Sequence, residues 1–201
     1  MTHKNEPCGP DSRHRAKRFR KRTLVIAAIV VGLVCAAAPY KYYVWPKRFR
    51  VVESGQIYRG GWQTPRVLRL IVRDHHIKTL LNVACNPSEQ EAAGEGTVVR
   101  EAGVDWYKIL MPGTGLATLS QLDEAADIIA DPANRPIFIH CAAGVHRTNM
   151  AIAAYRLKHC GWTPDDAIDE MAKYGYDRAN DKDKAILLNE YVEHLRGSSN
   201  P

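Results

Sequence analysis

Cys141, Arg147 and Thr148 occur at a spacing that suits phosphate chemistry. Five residues separate the cysteine from the arginine, and they are Ala142, Ala143, Gly144, Val145 and His146. A loop of this length can surround an oxyanion with backbone N–H groups while a guanidinium binds two of its oxygens. Gly144 gives the backbone the freedom that a close approach to a ligand requires. We therefore predict that residues 142–147 bind phosphate.

The flanking sequence predicts a strand before this loop and a helix after it. Residues 137–139 are apolar and follow Pro136, which is typical of a buried central strand. Apolar residues recur at helical spacing from Met150 to Leu157, so a helix should begin at or near Arg147. A loop in this position has free N–H groups and lies in the positive potential of the helix dipole, which favours an oxyanion.

The same surroundings predict a reactive thiol at Cys141. Backbone amides, the helix dipole and Arg147 all favour the thiolate and should lower the pKa of the cysteine, while Thr148 offers its hydroxyl to the sulfur. A thiolate beneath a bound phosphate is a nucleophile. A cysteine packed only as a small hydrophobe is the alternative, but packing does not explain the arginine and threonine at fixed offsets.

The pattern His-Cys-x5-Arg-Thr resembles the signature of the cysteine-dependent protein tyrosine and dual-specificity phosphatases. The chain is most similar to the plant and fungal atypical dual-specificity group, whose loop also ends in His-Arg-Thr. The resemblance runs from about Phe49 to about Tyr176 and includes the stretch from Gly55 to Gly61. A rhodanese-type sulfurtransferase also places a cysteine in an anion-binding loop, but we would not expect that loop to end in Arg-Thr.

The resemblance implies a role for each matching residue. Cys141 would form a phosphocysteine intermediate, Arg147 would bind the phosphate, and Thr148 would aid breakdown of the intermediate. His140 would orient the loop through a buried hydrogen bond. No metal or other cofactor is expected, and the chain should be a monomer.

One part of the resembled site is missing. These phosphatases usually take a general acid from an aspartate about thirty residues before the cysteine, but here no carboxylate occurs between Asp105 and Asp123. Proton donation to a leaving group is worth roughly 10²–10⁴-fold in rate. His146 is an alternative donor. Otherwise the substrate needs little protonation, as aryl phosphates and phosphoanhydrides do. The candidate carboxylates from other segments are Asp105, Asp177, Asp181 and Asp183.

The substrate class follows from what the loop lacks. The resembled atypical group carries basic residues where this chain has Ala143 and Val145, and it is associated with inositol polyphosphate or pyrophosphate substrates. Loss of two cations lowers the attraction for a multiply phosphorylated ring. We therefore expect a singly phosphorylated substrate, such as phosphotyrosine on a protein. The alternatives are an inositol polyphosphate or phosphoanhydride phosphatase, and a pseudophosphatase that binds phosphorylated partners.

The positive charge lies at the amino terminus. Residues 1–22 carry eight lysines and arginines against two acidic residues, so the rest of the chain is balanced at twenty of each. No nucleic-acid partner is therefore expected. The uncharged residues 23–40 would span ~27 Å as a helix, close to a ~30 Å bilayer core. This indicates a membrane anchor, and a cleaved signal peptide ending near Ala38 is the alternative.

The charges also predict an orientation and a domain plan. Residues 13–22 carry seven basic side chains against four in residues 41–50, so the amino terminus should be cytoplasmic and the catalytic domain extracytoplasmic. The predicted plan is a tail (1–22), an anchor (23–40), a linker (41–48) and a phosphatase domain (49–197). Cys85 either packs in the core or pairs with Cys141.

Alternating strand and helix patterns predict the fold class. Expected strands lie near 51–52, 56–59, 77–84, 104–110 and 137–141, and expected helices near 65–74, 88–102, 118–130, 147–157, 163–174 and 184–195. This order predicts an α/β three-layer sandwich with a mainly parallel central sheet, which is phosphotyrosine-phosphatase-like. The candidate site should then lie at the carboxyl ends of the strands.

Overall fold

The computed structural model describes residues 22, 24–34, 45–83 and 94–198. The chain divides into two units, Met1–Tyr42 and Tyr43–Pro201. In the first unit, residues 24–34 are helical. Cys85 and its predicted pairing with Cys141 lie outside the described residues, as do most of the basic tail and residues 35–40 of the predicted anchor.

The described part of the predicted anchor is the helical segment 24–34. Its eleven residues, at about 1.5 Å each, extend about 16 Å, roughly half of a ~30 Å bilayer core. Among the residues that the structure describes, no helix is both long and apolar enough to cross a membrane. This finding contradicts the predicted single-pass membrane location and extracytoplasmic catalytic domain.

The second unit is built on a five-stranded mixed sheet in the order β1-β2-β5-β3-β4. Strand β1 is antiparallel to β2, and the other three pairs are parallel, which confirms the mainly parallel sheet. The apolar run after Pro136 forms the central strand, as predicted. The strands are β1 (Arg50–Glu53), β2 (Ile57–Gly61), β3 (Thr79–Asn82), β4 (Asp105–Lys108) and β5 (Ile137–Cys141).

Helices cover both faces of this sheet. They are α1 (Pro65–Asp74), α2 (Glu95–Ala102), α3 (Leu119–Ala130), α4 (His146–His159), α5 (Pro164–Lys173) and α6 (Lys182–Ser198). Because side chains alternate along a strand, Ile137 and Ile139 pack in a core with α3 to α6, while Phe138 packs in a second core with α1 and α2. The result is the predicted three-layer sandwich.

Local capping sets where several helices begin. Thr64 caps α1 with Pro65 as the first helical residue, and the Thr118 and Thr163 side chains form capping boxes at the starts of α3 and α5. Strands β3 and β4 are shorter than predicted, α4 begins at His146, and α6 begins two residues earlier than expected. The predicted helix 88–102 is described only from Glu95 onward.

Candidate active site

Cys141 is the last residue of the central strand. It lies beside Gly61 of β2 in parallel register, and its side chain is buried. The chain then turns through residues 142–145, which we call the phosphate loop, and enters α4 at His146. The backbone N–H of Gly144 donates a hydrogen bond of 3.1 Å to the Cys141 Sγ. The predicted strand, loop and helix are therefore present in this order, at the carboxyl end of the sheet.

The surroundings of Cys141 favour its thiolate. Burial raises the pKa of this thiol, but the neighbouring Thr148 hydroxyl, the backbone N–H groups of Gly144 and Thr148, and the charge of Arg147 outweigh burial and lower the pKa. The Thr148 hydroxyl is fully buried and has no hydrogen-bond partner among the described residues, so it is available to the thiolate. The sulfur is thus poised to act as a nucleophile near neutral pH.

Gly144 lets the phosphate loop press against the end of β2. Its φ is +76°, and a Cβ at this position would lie 2.5 Å from the carbonyl of Gly60 and from the backbone nitrogen of Gly61. Both the left-handed backbone and the close approach require glycine here. Gly61 also leaves space for the loop, since a Cβ there would lie 2.9 Å from the carbonyl oxygen of Ala143.

Cationic side chains hold the outer side of the phosphate loop. Each of three consecutive loop carbonyls accepts a hydrogen bond from a lysine or arginine. These bonds are Lys47 Nζ to Ala142 O (2.9 Å), Arg48 to Ala143 O (2.9 Å) and Arg59 to Gly144 O (3.1 Å). These carbonyls point toward the cations on the outer side. The N–H groups of the loop therefore face its inner side, where an oxyanion would bind.

Arg59 is the most buried of these braces. It is 1 % exposed, donates to Asn149 Oδ1 at 2.6 Å, and lies 4.1 Å from the centre of the Tyr174 ring. Burial lowers its pKa to about 10, which still leaves it charged at neutral pH. We did not predict this role from the sequence. The available signal was an arginine in an otherwise apolar strand that ends in two glycines.

Arg147 is half-buried, and its guanidinium makes no hydrogen bond or ion pair within the described part of the chain. Its charge nevertheless acts on the Cys141 sulfur. An arginine in this position has its planar fork of donors available for the oxygens of a bound phosphate.

His140 makes a buried contact on the opposite face of β5. Its Nε2 lies 3.0 Å from Glu95 Oε1, and Asn82 also donates to that oxygen at 3.3 Å. Burial raises the pKa of Glu95, but the charge and hydrogen bond of His140 and the bond from Asn82 outweigh burial and hold the pKa below its ordinary value. The pair ties the start of α2 to the strand that carries the cysteine. Sequence analysis gave no signal for Glu95.

The structure does not bring all the candidate acids to the site. Asp105 begins β4 and pairs with Thr79, which in turn pairs with Ile137 at the start of β5, so Asp105 lies at the opposite end of the sheet from Cys141. Asp177 is exposed and its carboxylate binds the loop residues Ala179 and Asn180.

Asp181 alone among these carboxylates contacts the phosphate-loop region in the described residues. Its Oδ2 lies 3.6 Å from Nδ1 of His146. Its other oxygen accepts a bond of 2.5 Å from Lys184. Asp183 is exposed on the first turn of α6.

A cationic cavity of about 270 Å³ adjoins the phosphate loop. It is lined by Gly144, Val145, Tyr174 and Gly175 and by the basic residues Arg48, Arg50, Arg59 and Lys173. From the sequence we predicted only a loss of positive charge, because Ala143 and Val145 stand where the resembled group has basic residues. The structure places positive charge beside the loop from other segments of the chain.

Comparison of the chain with known proteins identifies its family. The model of the tyrosine phosphatase family matches residues 43–199. The inositol diphosphatase SIW14 of Saccharomyces cerevisiae is 26% identical over 151 residues, which are 73% of this chain and 52% of that protein. The inositol diphosphatase DSP1 of Oryza sativa is 27% identical over 71% of this chain and 63% of its own length. The chain therefore spans about half to two thirds of these relatives.

Solved structures show the same fold. The core catalytic domain of the PP-IP phosphatase SIW14 from S. cerevisiae matches with a TM-score of 0.62 and 24% identity, over 77% of this chain and 92% of that one. The structure of PTPMT1 matches with a TM-score of 0.63 and 18% identity, over 75% of this chain and 98% of the other. At these identities the likeness concerns the fold alone.

Proposed function

Because the chain belongs to the tyrosine phosphatase family, we propose that it hydrolyses phosphate groups through a phosphocysteine formed on Cys141. The observation that carries this proposal is the thiol of Cys141, which is buried, has a lowered pKa and lies at the start of the phosphate loop. The carbonyls of that loop are turned outward. Arg147 and the loop amides would bind the phosphate, and Thr148 would aid breakdown of the intermediate.

The reaction would have two steps. In the first, the Cys141 thiolate attacks phosphorus, the S–P bond forms, and the bond to the leaving oxygen breaks with its electron pair on that oxygen. In the second, water attacks the phosphocysteine, the S–P bond breaks, and the thiolate and inorganic phosphate are released. Arg147 and the loop N–H groups would stabilise the negative charge on the transferring phosphoryl oxygens in both steps.

We rank a phosphoanhydride on a highly phosphorylated small molecule first among substrates. The basic residues that line the cavity on the outer side of the phosphate loop raise the positive potential around the site, which favours a highly charged substrate. The absence of a carboxylate from residues 111–117 also suits a leaving group that needs little protonation. Several relatives named inositol diphosphatases support the same ranking.

Phosphotyrosine on a protein is the second candidate. Ala143 and Val145 carry no charge on the phosphate loop itself, which favours a singly phosphorylated group, and an aryl oxygen is also a good leaving group. A pseudophosphatase that binds phosphorylated partners would be consistent with the missing loop carboxylate, but it would not require a thiol with a lowered pKa.

Phosphate release by the full chain tests these candidates. The substrates are a diphosphoinositol polyphosphate, inositol hexakisphosphate, a phosphotyrosine peptide and a phosphoserine peptide. We expect the diphosphate to be hydrolysed fastest. Faster hydrolysis of the phosphotyrosine peptide would reverse the ranking, and turnover of none of them would favour the pseudophosphatase.

Cys141→Ser tests the phosphocysteine mechanism. Turnover should fall at least a thousandfold, while vanadate binding should survive because the loop amides and Arg147 remain. Cys160→Ser is the matched control, since Cys160 is half-buried at the far end of α4 and should leave turnover near that of the wild type. Turnover above a tenth of wild type in Cys141→Ser would rule out the mechanism.

A further inference from the structure

The ring of His146 is oriented with one nitrogen inward. His146 is the first residue of α4, so its backbone is fixed by the phosphate loop. Its side chain is 40% exposed, yet its Nδ1 is completely buried. The exposed part of the side chain therefore lies among its other atoms, which include Nε2, on the residue that directly follows the phosphate loop.

The carboxylate of Asp181 faces the buried nitrogen of this ring. Its Oδ2 lies 3.6 Å from His146 Nδ1, and its side chain is only 14% exposed. The carboxylate is held by Lys184 and by the backbone N–H of Asp177, at 2.5 and 3.1 Å. Burial raises the pKa of Asp181, but these bonds and the charges of Lys184 and His146 outweigh burial and lower the pKa. The carboxylate of Asp181 therefore lies on the inner side of the His146 ring, where it faces Nδ1.

Residues 111–117, the loop in which the resembled phosphatases usually carry the acid, lie against His146 and Lys184. A Cβ on Gly115 would lie 3.1 Å from the His146 Cβ and 3.3 Å from the Lys184 Cε, so the loop backbone lies directly against both side chains. Residues 111–117 contain no titratable side chain. In the described residues, the charged groups on the buried side of His146 are Asp181 and its partner Lys184, and the next residue along α4 is Arg147.

We propose that His146 is the general acid of this phosphatase and that Asp181 is its positioning residue. The inference rests on the proposed phosphatase function and extends it, since it supplies the proton donor that the loop after β4 lacks. Proton donation matters most for a strongly basic leaving oxygen, so the contribution of His146 should grow with the basicity of the leaving group.

The proton balance closes over the two steps. As the bond from phosphorus to the leaving oxygen breaks, Nε2–H of the His146 imidazolium donates its proton to that oxygen, which leaves a neutral imidazole. In the second step the same nitrogen accepts a proton from the attacking water as the S–P bond breaks. The imidazolium and the Cys141 thiolate are then both restored.

The test compares leaving groups in His146→Asn. With phenyl phosphate, whose phenolate is strongly basic, kcat should fall about a hundredfold or more. With 4-nitrophenyl phosphate, whose leaving group is a weaker base, the fall should be less than tenfold. A purely structural role would lower both rates by the same factor. Vanadate affinity within threefold of wild type verifies that the loop is intact.

His159→Asn is the matched control. His159 ends the same helix and pairs with Asp127 at 2.8 Å, so it is also a histidine held by an aspartate, but at the opposite end of α4 from the loop. This variant should show no dependence on the leaving group. Equal losses on both substrates in His146→Asn, or the same pattern in His159→Asn, would overturn the proposal. A wild-type chain inactive on every phosphate tested would instead reject the phosphatase function itself.

Asp181→Asn separates positioning from direct donation. Because Asp181→Asn removes a negative charge 3.6 Å from Nδ1, it should move the alkaline fall of kcat with phenyl phosphate to lower pH, while His146→Asn should remove that fall. An alkaline limb that stays in place in Asp181→Asn would exclude Asp181 as the positioning residue. An alkaline limb that persists in His146→Asn would exclude His146 as the acid.

Discussion

The thiol of Cys141 ionises inside a buried site because specific donors outweigh the cost of burying charge. Burial is the largest influence on its pKa and opposes the thiolate. The donor that acts most strongly against burial is the hydroxyl of Thr148, followed by backbone N–H groups and Arg147. The hydroxyl that the family resemblance links to breakdown of the intermediate therefore also affects its formation.

Thr148→Val should raise the pKa of Cys141, since it removes a hydrogen bond to the thiolate and keeps the side-chain shape. Activity requires the thiolate, so it falls as pH drops through this pKa. The acidic limb of kcat/KM should therefore move to higher pH in the variant. A pH profile with 4-nitrophenyl phosphate measures this shift.

Thr79→Val controls for the loss of a buried hydroxyl elsewhere. Thr79 begins β3 and, like Thr148, is fully buried with no hydrogen-bond partner for its hydroxyl in the described residues. Its substitution should leave the acidic limb where it is. A limb that also stays in place in Thr148→Val would show that the hydroxyl does not stabilise the sulfur.

At the scale of elements, the phosphate loop depends on the end of β2 as much as on β5. Gly144→Ala should therefore do more than strain the backbone, because the new Cβ would lie 2.5 Å from Gly60 and Gly61. We expect vanadate affinity and kcat each to fall more than tenfold. Isothermal titration with vanadate and a kcat measurement with 4-nitrophenyl phosphate test these two expectations.

Gly161→Ala separates the effect of backbone strain from the effect of a steric clash of the new Cβ. Gly161 has a similar φ of +69°, but a Cβ there would meet nothing within 4 Å. It should cost about 1–2 kcal/mol of unfolding free energy and leave vanadate binding unchanged. Equal effects of the two substitutions on vanadate binding would mean that the contact with β2 does not shape the loop.

Sequence reasoning succeeded where the determinants are local. The Thr64-Pro65 pair and the Thr118 and Thr163 caps act within three residues, so they fixed the starts of three helices. The braces of the phosphate loop were missed because their partners are distant in sequence. Arg59 contacts Gly144 across 85 residues, and Glu95 contacts His140 across 45. Composition and periodicity contain no signal for such pairs.

The prediction of a membrane span was also wrong. Hydropathy measures how apolar a stretch is, and residues 23–40 are uncharged. The helix that the structure describes there covers only residues 24–34. An apolar run therefore predicted a span that the described helix is too short to make.

At the scale of the whole catalytic unit, Arg156 connects β1, α4 and α5. It is 8% exposed and binds Glu53 at 2.5 Å and Glu170 at 3.2 Å. Arg156→Met should leave Glu170 without its cation and Glu53 with only the more distant Arg135, and it should lower the free energy of unfolding by roughly 3 kcal/mol. Urea denaturation measures this loss.

Arg69→Met is the surface counterpart. The Arg69–Glu101 pair is also short, at 2.8 Å, but its side chains are 49% and 55% exposed. Its loss should cost less than about 1 kcal/mol because water screens the pair. If both substitutions cost the same, burial would not explain the contribution of Arg156.

The contacts of Lys47 and Arg48 have a mechanical consequence. These residues lie just before β1, and their side chains hold the carbonyls of Ala142 and Ala143, while the Lys47 carbonyl accepts the N–H of Gly61. A pulling force applied to the chain ahead of Trp45 would therefore load the phosphate loop and the end of β2 before it loaded the rest of the sheet. Tension at this end of the catalytic unit would distort the anion cradle while the core remained folded.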